Sequence, residues 1–196
     1  MNARHTEPPS GRIILCADAA TRIRRRALRV KRSRSSEVGD VVAMIVAGLI
    51  VHGLLAVFLL GAVTHQAMSV LKRTPARSSF VDKFGAVNAA SYTTPIIALF
   101  LVTAVGGALL YPQYRLDVRP TLEDLQMRAA NGVFEIKEHL AAIGLGMLPI
   151  YASAWKPPLA VDQAATRKYL TLILAFLVWW NFLVGHVLNN LKGLVP

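Results

Sequence analysis

Cysteine is almost missing from this chain: Cys16 is the single one in 196 residues. One thiol makes no internal disulfide and no thiolate metal cluster. Charge is also scarce, at 17% of residues, where soluble domains carry about a quarter. Acidic residues are the scarcer sign, 11 Asp and Glu against 22 Lys and Arg. No Gly-rich phosphate loop, CxxC pair or nucleophile elbow is present, so nucleotide hydrolysis, dithiol redox chemistry and serine hydrolysis lack their usual motifs. No repeat marks a solenoid or an inverted-repeat transporter. No cleavable leader is evident either. Ile13–Ala20 is too short and too mixed, and the basic run follows it rather than preceding it.

What remains is apolar. Hydrophobic residues make up 54% of the chain, the mean hydropathy is +0.45, and the charges are clustered so that long stretches have almost none. That pattern predicts an all-α integral membrane protein. The net charge is +11, and much of it lies in Arg22, Arg24, Arg25, Arg26, Arg29, Lys31, Arg32 and Arg34. A basic run just before an apolar segment holds the N-terminus in the cytoplasm and draws anionic lipid headgroups to Arg24, Arg25, Arg26, Lys31 and Arg32. Nucleic-acid binding is the lesser reading of the same run, because no aromatics are interleaved with it. A targeting peptide is weakened by Glu7, Asp18 and Glu37.

The expected organisation is a basic, mobile arm over 1–37 and a transmembrane four-helix bundle over 38–196. Its spans are predicted at about 41–71, 93–111, 133–154 and 169–190. Four crossings return the C-terminus to the cytoplasm, and a bacterial inner membrane is the expected setting. Pro75 and its neighbours form the first loop. Arg115, Asp117, Arg119 and Pro120 form the turn after the second span, with Thr121 as the N-cap of a long helix whose first half is polar. Pro149 is expected to kink that helix.

Four of the five histidines, His52, His65, His139 and His186, lie in or near the spans. Ionisable groups at membrane depth are costly, so each is a candidate site residue. A neutral histidine can also simply bond across helices. Counted at 1.5 Å per residue from the far helix ends, His52, His139 and His186 fall at similar depths and His65 near the opposite side. Imidazoles at one level on different helices suit a b-type haem, with His139 and His186 the favoured ligands to its iron and His52 or His65 the alternatives. Gly48, Gly61, Gly144, Gly146 and Gly185 would leave room beside them, although glycine also serves plain packing. His52 and His65 are 13 residues apart, about 220° net around a helix, which argues against two haems stacked along the first span. Glu135, one turn before His139, could orient its imidazole or move a proton, as at a quinone site. Trp179, Trp180 and Asn181 fall near mid-depth, where packing, with Asn181 bonded across the bundle, is the simpler reading.

His52-Gly53 with Gly61, followed by a span that opens on Thr94-Pro95 and ends in Gly106-Gly107, resembles the copper-resistance-protein-D and HemJ-type protoporphyrinogen oxidase membrane families. The likeness covers the first two spans, and Phe134–His139 falls outside it. It implies a helical bundle. In the HemJ type it implies haem held by a first-helix histidine and a later lysine, with His52 and Lys137 the nearest matches.

These features give three readings. The first is a haem-binding membrane protein or subunit in electron transfer, linked to quinone and, if an enzyme, an oxidoreductase. The second is a cofactor-free accessory subunit packed against other membrane subunits. The third is a small proton-coupled transporter using Glu135 and His139, against which the lack of an inverted repeat counts.

Overall fold

The computed structural model describes residues 10–71 and 88–193. Within 10–35 only the side chains of Arg26, Arg29 and Lys31 are described, and those of 191–193 are not. Every described element is helical. The first loop lies outside the described residues. The chain divides into two units, residues 1–47 and 48–196, each taken by itself.

The first unit is helical from Ser10 onward, as the start of α1 (Ser10–Leu71). The basic, mobile arm expected over 1–37 covers the start of this helix. Alanine, leucine and arginine are strong helix formers, and no proline follows Pro9 until Pro75, so nothing breaks the helix. Arg26 and Lys31 are exposed. Arg24, Arg25 and Arg32 lie outside the described side chains.

In the second unit a short 3-10 turn (Ala89–Tyr92) leads into α2 (Thr93–Gln113). The polar residues after Tyr111 do not end the helix. They continue it through a π-helical turn (Tyr114–Val118) into α3 (Arg119–Asp124). Pro120 has no N–H to give to the carbonyl one turn earlier, and the ladder widens there: the Arg119 N–H reaches back five residues to the Tyr114 carbonyl. The real break comes at Gln126, whose φ is 57°. The Gln126 N–H bonds to the Glu123 carbonyl at 2.9 Å and the Met127 N–H to the Leu122 carbonyl at 2.8 Å, the pairing of a helix end closed by a left-handed residue. Thr121 therefore caps nothing. Its hydroxyl donates back to the Asp117 carbonyl at 2.9 Å.

Next come α4 (Arg128–Ala154), which runs through Pro149, and α5 (Ala164–Gly193), which packs along it. Three helical stretches are long and apolar enough to cross a membrane: Ser36–Leu71, Ala89–Asp124 and Val161–Asn190. The expected third span, in α4, is not among them, because Glu135, Lys137 and Glu138 cut into it.

The core sits toward the ends of the helices that meet near Leu71, Thr93, Ala154 and Ala164. It contains Leu59, Val63 and Ala67 of α1, Ile96 and Phe100 of α2, Leu148, Tyr151 and Trp155 around the end of α4, and Leu174, Ala175 and Val178 of α5. Phe100 packs against Gly144, where an added β-carbon would lie 2.5 Å from its ring.

Candidate functional site

Two groups of polar residues occupy opposite ends of the second unit. At the core end, the Gln66 amide is fully buried. Its Nε2 donates to the Ala89 carbonyl at 2.9 Å and to Thr93 Oγ1 at 3.4 Å, while Tyr151 donates its hydroxyl to Gln66 Oε1. A buried amide needs such partners, since each unpaired polar atom at depth costs free energy. Nearby, Trp155 Nε1 donates to Thr171 Oγ1 at 3.2 Å and Trp179 Nε1 to Thr64 Oγ1 at 2.9 Å. His65 stacks on Tyr92, ring centres 5.1 Å apart. Arg167 lies over Trp155 and donates to the Ala160 carbonyl at 2.9 Å. The group ties the helices together through hydrogen bonds between their side chains.

Sequence reading missed this network. Gln66 is one residue among apolar neighbours, and its partners are 23 to 85 positions away. The available signal was a neutral amide inside a predicted span, which must face protein. Asn181, by contrast, bonds to Leu177 of its own helix at 2.8 Å rather than across the bundle.

The other end holds His52, His139 and His186. Measured back from Gln66, His52 lies roughly 21 Å along α1, and His139 lies roughly 18 Å from Tyr151 along α4. His186 lies roughly 22 Å along α5 from Thr171, the partner of Trp155, and so within about one turn of the others. Their directions differ. The His52 ring lies on the Gly106-Gly107 step of α2: a β-carbon on Gly106 would be 3.2 Å from its Nδ1, and one on Gly107 3.4 Å from its Cε1. Nδ1 is buried and makes no hydrogen bond of ordinary length, though the Thr103 backbone is close enough to act on the ring, as are the charges of Lys137 and Glu138. Lys137 in turn packs against α5, its Cε 3.5 Å from where a Gly185 β-carbon would be. Its Nζ is 2.9 Å from Glu138 and 5.0 Å from the Phe134 ring centre.

His139 follows Lys137 by two residues, about 200° around the helix. It therefore faces away from α5, into a cleft of about 120 Å³ between the π-helical turn and the first half of α4. His139 Nδ1 is 2.7 Å from the Glu135 carbonyl oxygen. A carbonyl only accepts, so Nδ1 carries a proton, and in that tautomer Nε2 presents a lone pair. The Glu135 backbone, not its carboxylate, thus orients the ring. The carboxylate lies 3.6 Å from Arg119, which is held more closely by Glu123 at 2.7 Å. Tyr111, Tyr114 and Phe134 form the aromatic wall, with Tyr114 stacked on Phe134 at 3.6 Å and its hydroxyl donating to Asn131 at 3.0 Å. His186 is exposed, 6.2 Å from the parallel Phe182 ring, and its Nε2 is 3.1 Å from Asn190 Nδ2.

The structure therefore turns His52, His139 and His186 toward different neighbours. His65 lies at the core level between Val63 and Ala67, roughly 20 Å along α1 from His52. Among the described residues, no three His, Cys, Asp or Glu side chains are grouped as metal ligands. A porphyrin fits neither the size nor the single imidazole of the His139 cleft. At the level of His52 the buried Nδ1 is a candidate donor, while the His52 ring lies over Gly106 and Gly107, and Lys137, whose Nζ is paired with Glu138, lies over Gly185. Comparison with protein-family models, curated proteins and solved structures gives no match.

Proposed function

We propose that the chain is an integral membrane four-helix bundle with both termini cytoplasmic, that holds a b-type haem and transfers electrons, alone or as a subunit. The apolar second half of α4 packs along α5 and is the fourth, shorter membrane element. The observation that carries the haem reading is His52 seated on Gly106-Gly107 with a buried ring nitrogen. Bound there, the haem supplies a one-electron carrier. The glycines let the imidazole lie close against α2. A second ligand would come from His186 beside Gly185, because His139 is turned away and Lys137 is paired with Glu138. The basic residues Arg24–Lys31 anchor the cytoplasmic side to anionic lipid.

A second reading, the cofactor-free accessory subunit, is favoured by one fact. In the most apolar window of Ser36–Leu71, 0% of positions are buried, which leaves a long helix surface for lipid or partner subunits. The test is a pyridine haemochrome assay on protein purified in mild detergent with haem supplied during expression. Near one haem per chain, lost in His52→Leu, is the expected result. A colourless protein overturns the haem reading in favour of the accessory subunit.

A further inference from the structure

The cleft beside His139 has a composition that the haem reading does not use. One wall is aromatic, the rest of the lining is polar or charged, and its space, about 120 Å³, is close to that of engineered apolar cavities of ~150 Å³ that take a benzene ring. One six-membered ring fits, and a peptide or a porphyrin does not.

The polar atoms of the cleft sort by whether they are already spent. The Tyr114 hydroxyl is given to Asn131. Arg119 is committed to Glu123 at 2.7 Å, and Lys137 to Glu138 at 2.9 Å. What is left is His139 Nε2, an acceptor because Nδ1 donates to the Glu135 carbonyl, the Glu135 carboxylate, held only at 3.6 Å by Arg119, and the Tyr111 hydroxyl on the wall. The first two accept, and the hydroxyl does either. A ligand that satisfies the two acceptors brings hydroxyl protons on a flat ring. The cleft adjoins the end of the apolar stretch of α2, where Tyr111 and Tyr114 suit headgroup depth, so a ligand with an apolar tail can enter from the bilayer.

We propose that this cleft binds the dihydroxylated head ring of a lipid-soluble quinol, with His139 Nε2 accepting a hydrogen bond from one hydroxyl and Glu135 available to the other. The oxidised quinone offers acceptors only and leaves His139 Nε2 and the Glu135 carboxylate without a donor. This deepens the quinone-linked part of the electron-transfer reading and needs its membrane placement but not its haem.

The test uses the full chain in nanodiscs of quinone-free lipid under argon. A short-tailed 1,4-benzoquinol and its dimethyl ether are titrated by calorimetry against protein-containing and empty discs. The expected result is saturable quinol binding with the ether at least tenfold weaker. His139→Phe and His139→Gln each lower quinol affinity about tenfold, leave the ether unchanged and keep the wild-type melting temperature. Equal uptake of quinol and ether, or variants that bind quinol as wild type does, overturns the proposal. Quinol binding by a colourless protein upholds it while the haem reading fails. A haem-loaded protein that does not distinguish quinol from ether overturns it and leaves the haem reading standing.

Discussion

The two ends of the helical unit solve different problems with similar residues. At the core end, glutamine, threonine, tyrosine and tryptophan side chains bond to one another between helices. At the other end, three histidines occupy one level but point in three directions, and His139 keeps an uncommitted nitrogen. The difference separates holding a fold from offering chemistry. A satisfied buried network adds specificity to the packing, whereas an imidazole with a spare lone pair is useful only to something that binds it.

Substitution should break that contrast unevenly. The largest loss of stability is expected for Gly144→Ala, whose β-carbon would enter the Phe100 ring; overpacking of this kind costs about 1–3 kcal/mol. The matching change Gly106→Ala meets His52 at 3.2 Å. It should cost less stability, because that ring can give by a few tenths of an ångström, yet it should lower haem content. Thermal unfolding in detergent, followed by circular dichroism, compares the two. Comparable losses from both would remove the distinction between a rigid and a yielding end.

Gln66→Leu comes next. It leaves Tyr151 without its acceptor and the Ala89 carbonyl without its donor, at a cost of about 1–2 kcal/mol within a helical membrane protein. Unchanged unfolding would show that the network contributes little. His139→Gln should shift stability by less than about 0.5 kcal/mol, since the ring is exposed and bonded only within its own helix. One change is expected to give a gain. Gln126→Gly relieves a left-handed backbone at the end of α3 and should stabilise by up to about 1 kcal/mol.

The sequence was legible where long-range contact was not needed. Apolar runs locate the spanning stretches because their length alone states the burial they require. The level of the histidines could be counted because helical rise is constant. Direction could not be counted across helices: the opposite facing of Lys137 and His139 matters only once Gly185 is known to lie against Lys137. The polar stretch Arg115–Pro120 looked like a turn by composition, but a π-helical turn absorbs Pro120 and moves the break to Gln126. No residue type there announces a left-handed φ, which glycine would have done. Gln66 was silent for a similar reason, since its partners come from α2, its preceding turn and α4.

The central claim is that His52, on its glycine step, marks a haem level that the fold does not need for stability. The dithionite-reduced minus oxidised spectrum of wild type and His52→Leu, purified side by side, tests it most directly when both melt within a few degrees of each other. The account predicts a b-type alpha band in the wild type and its loss in the variant. A variant that keeps the band, or a wild type that shows none, would contradict it.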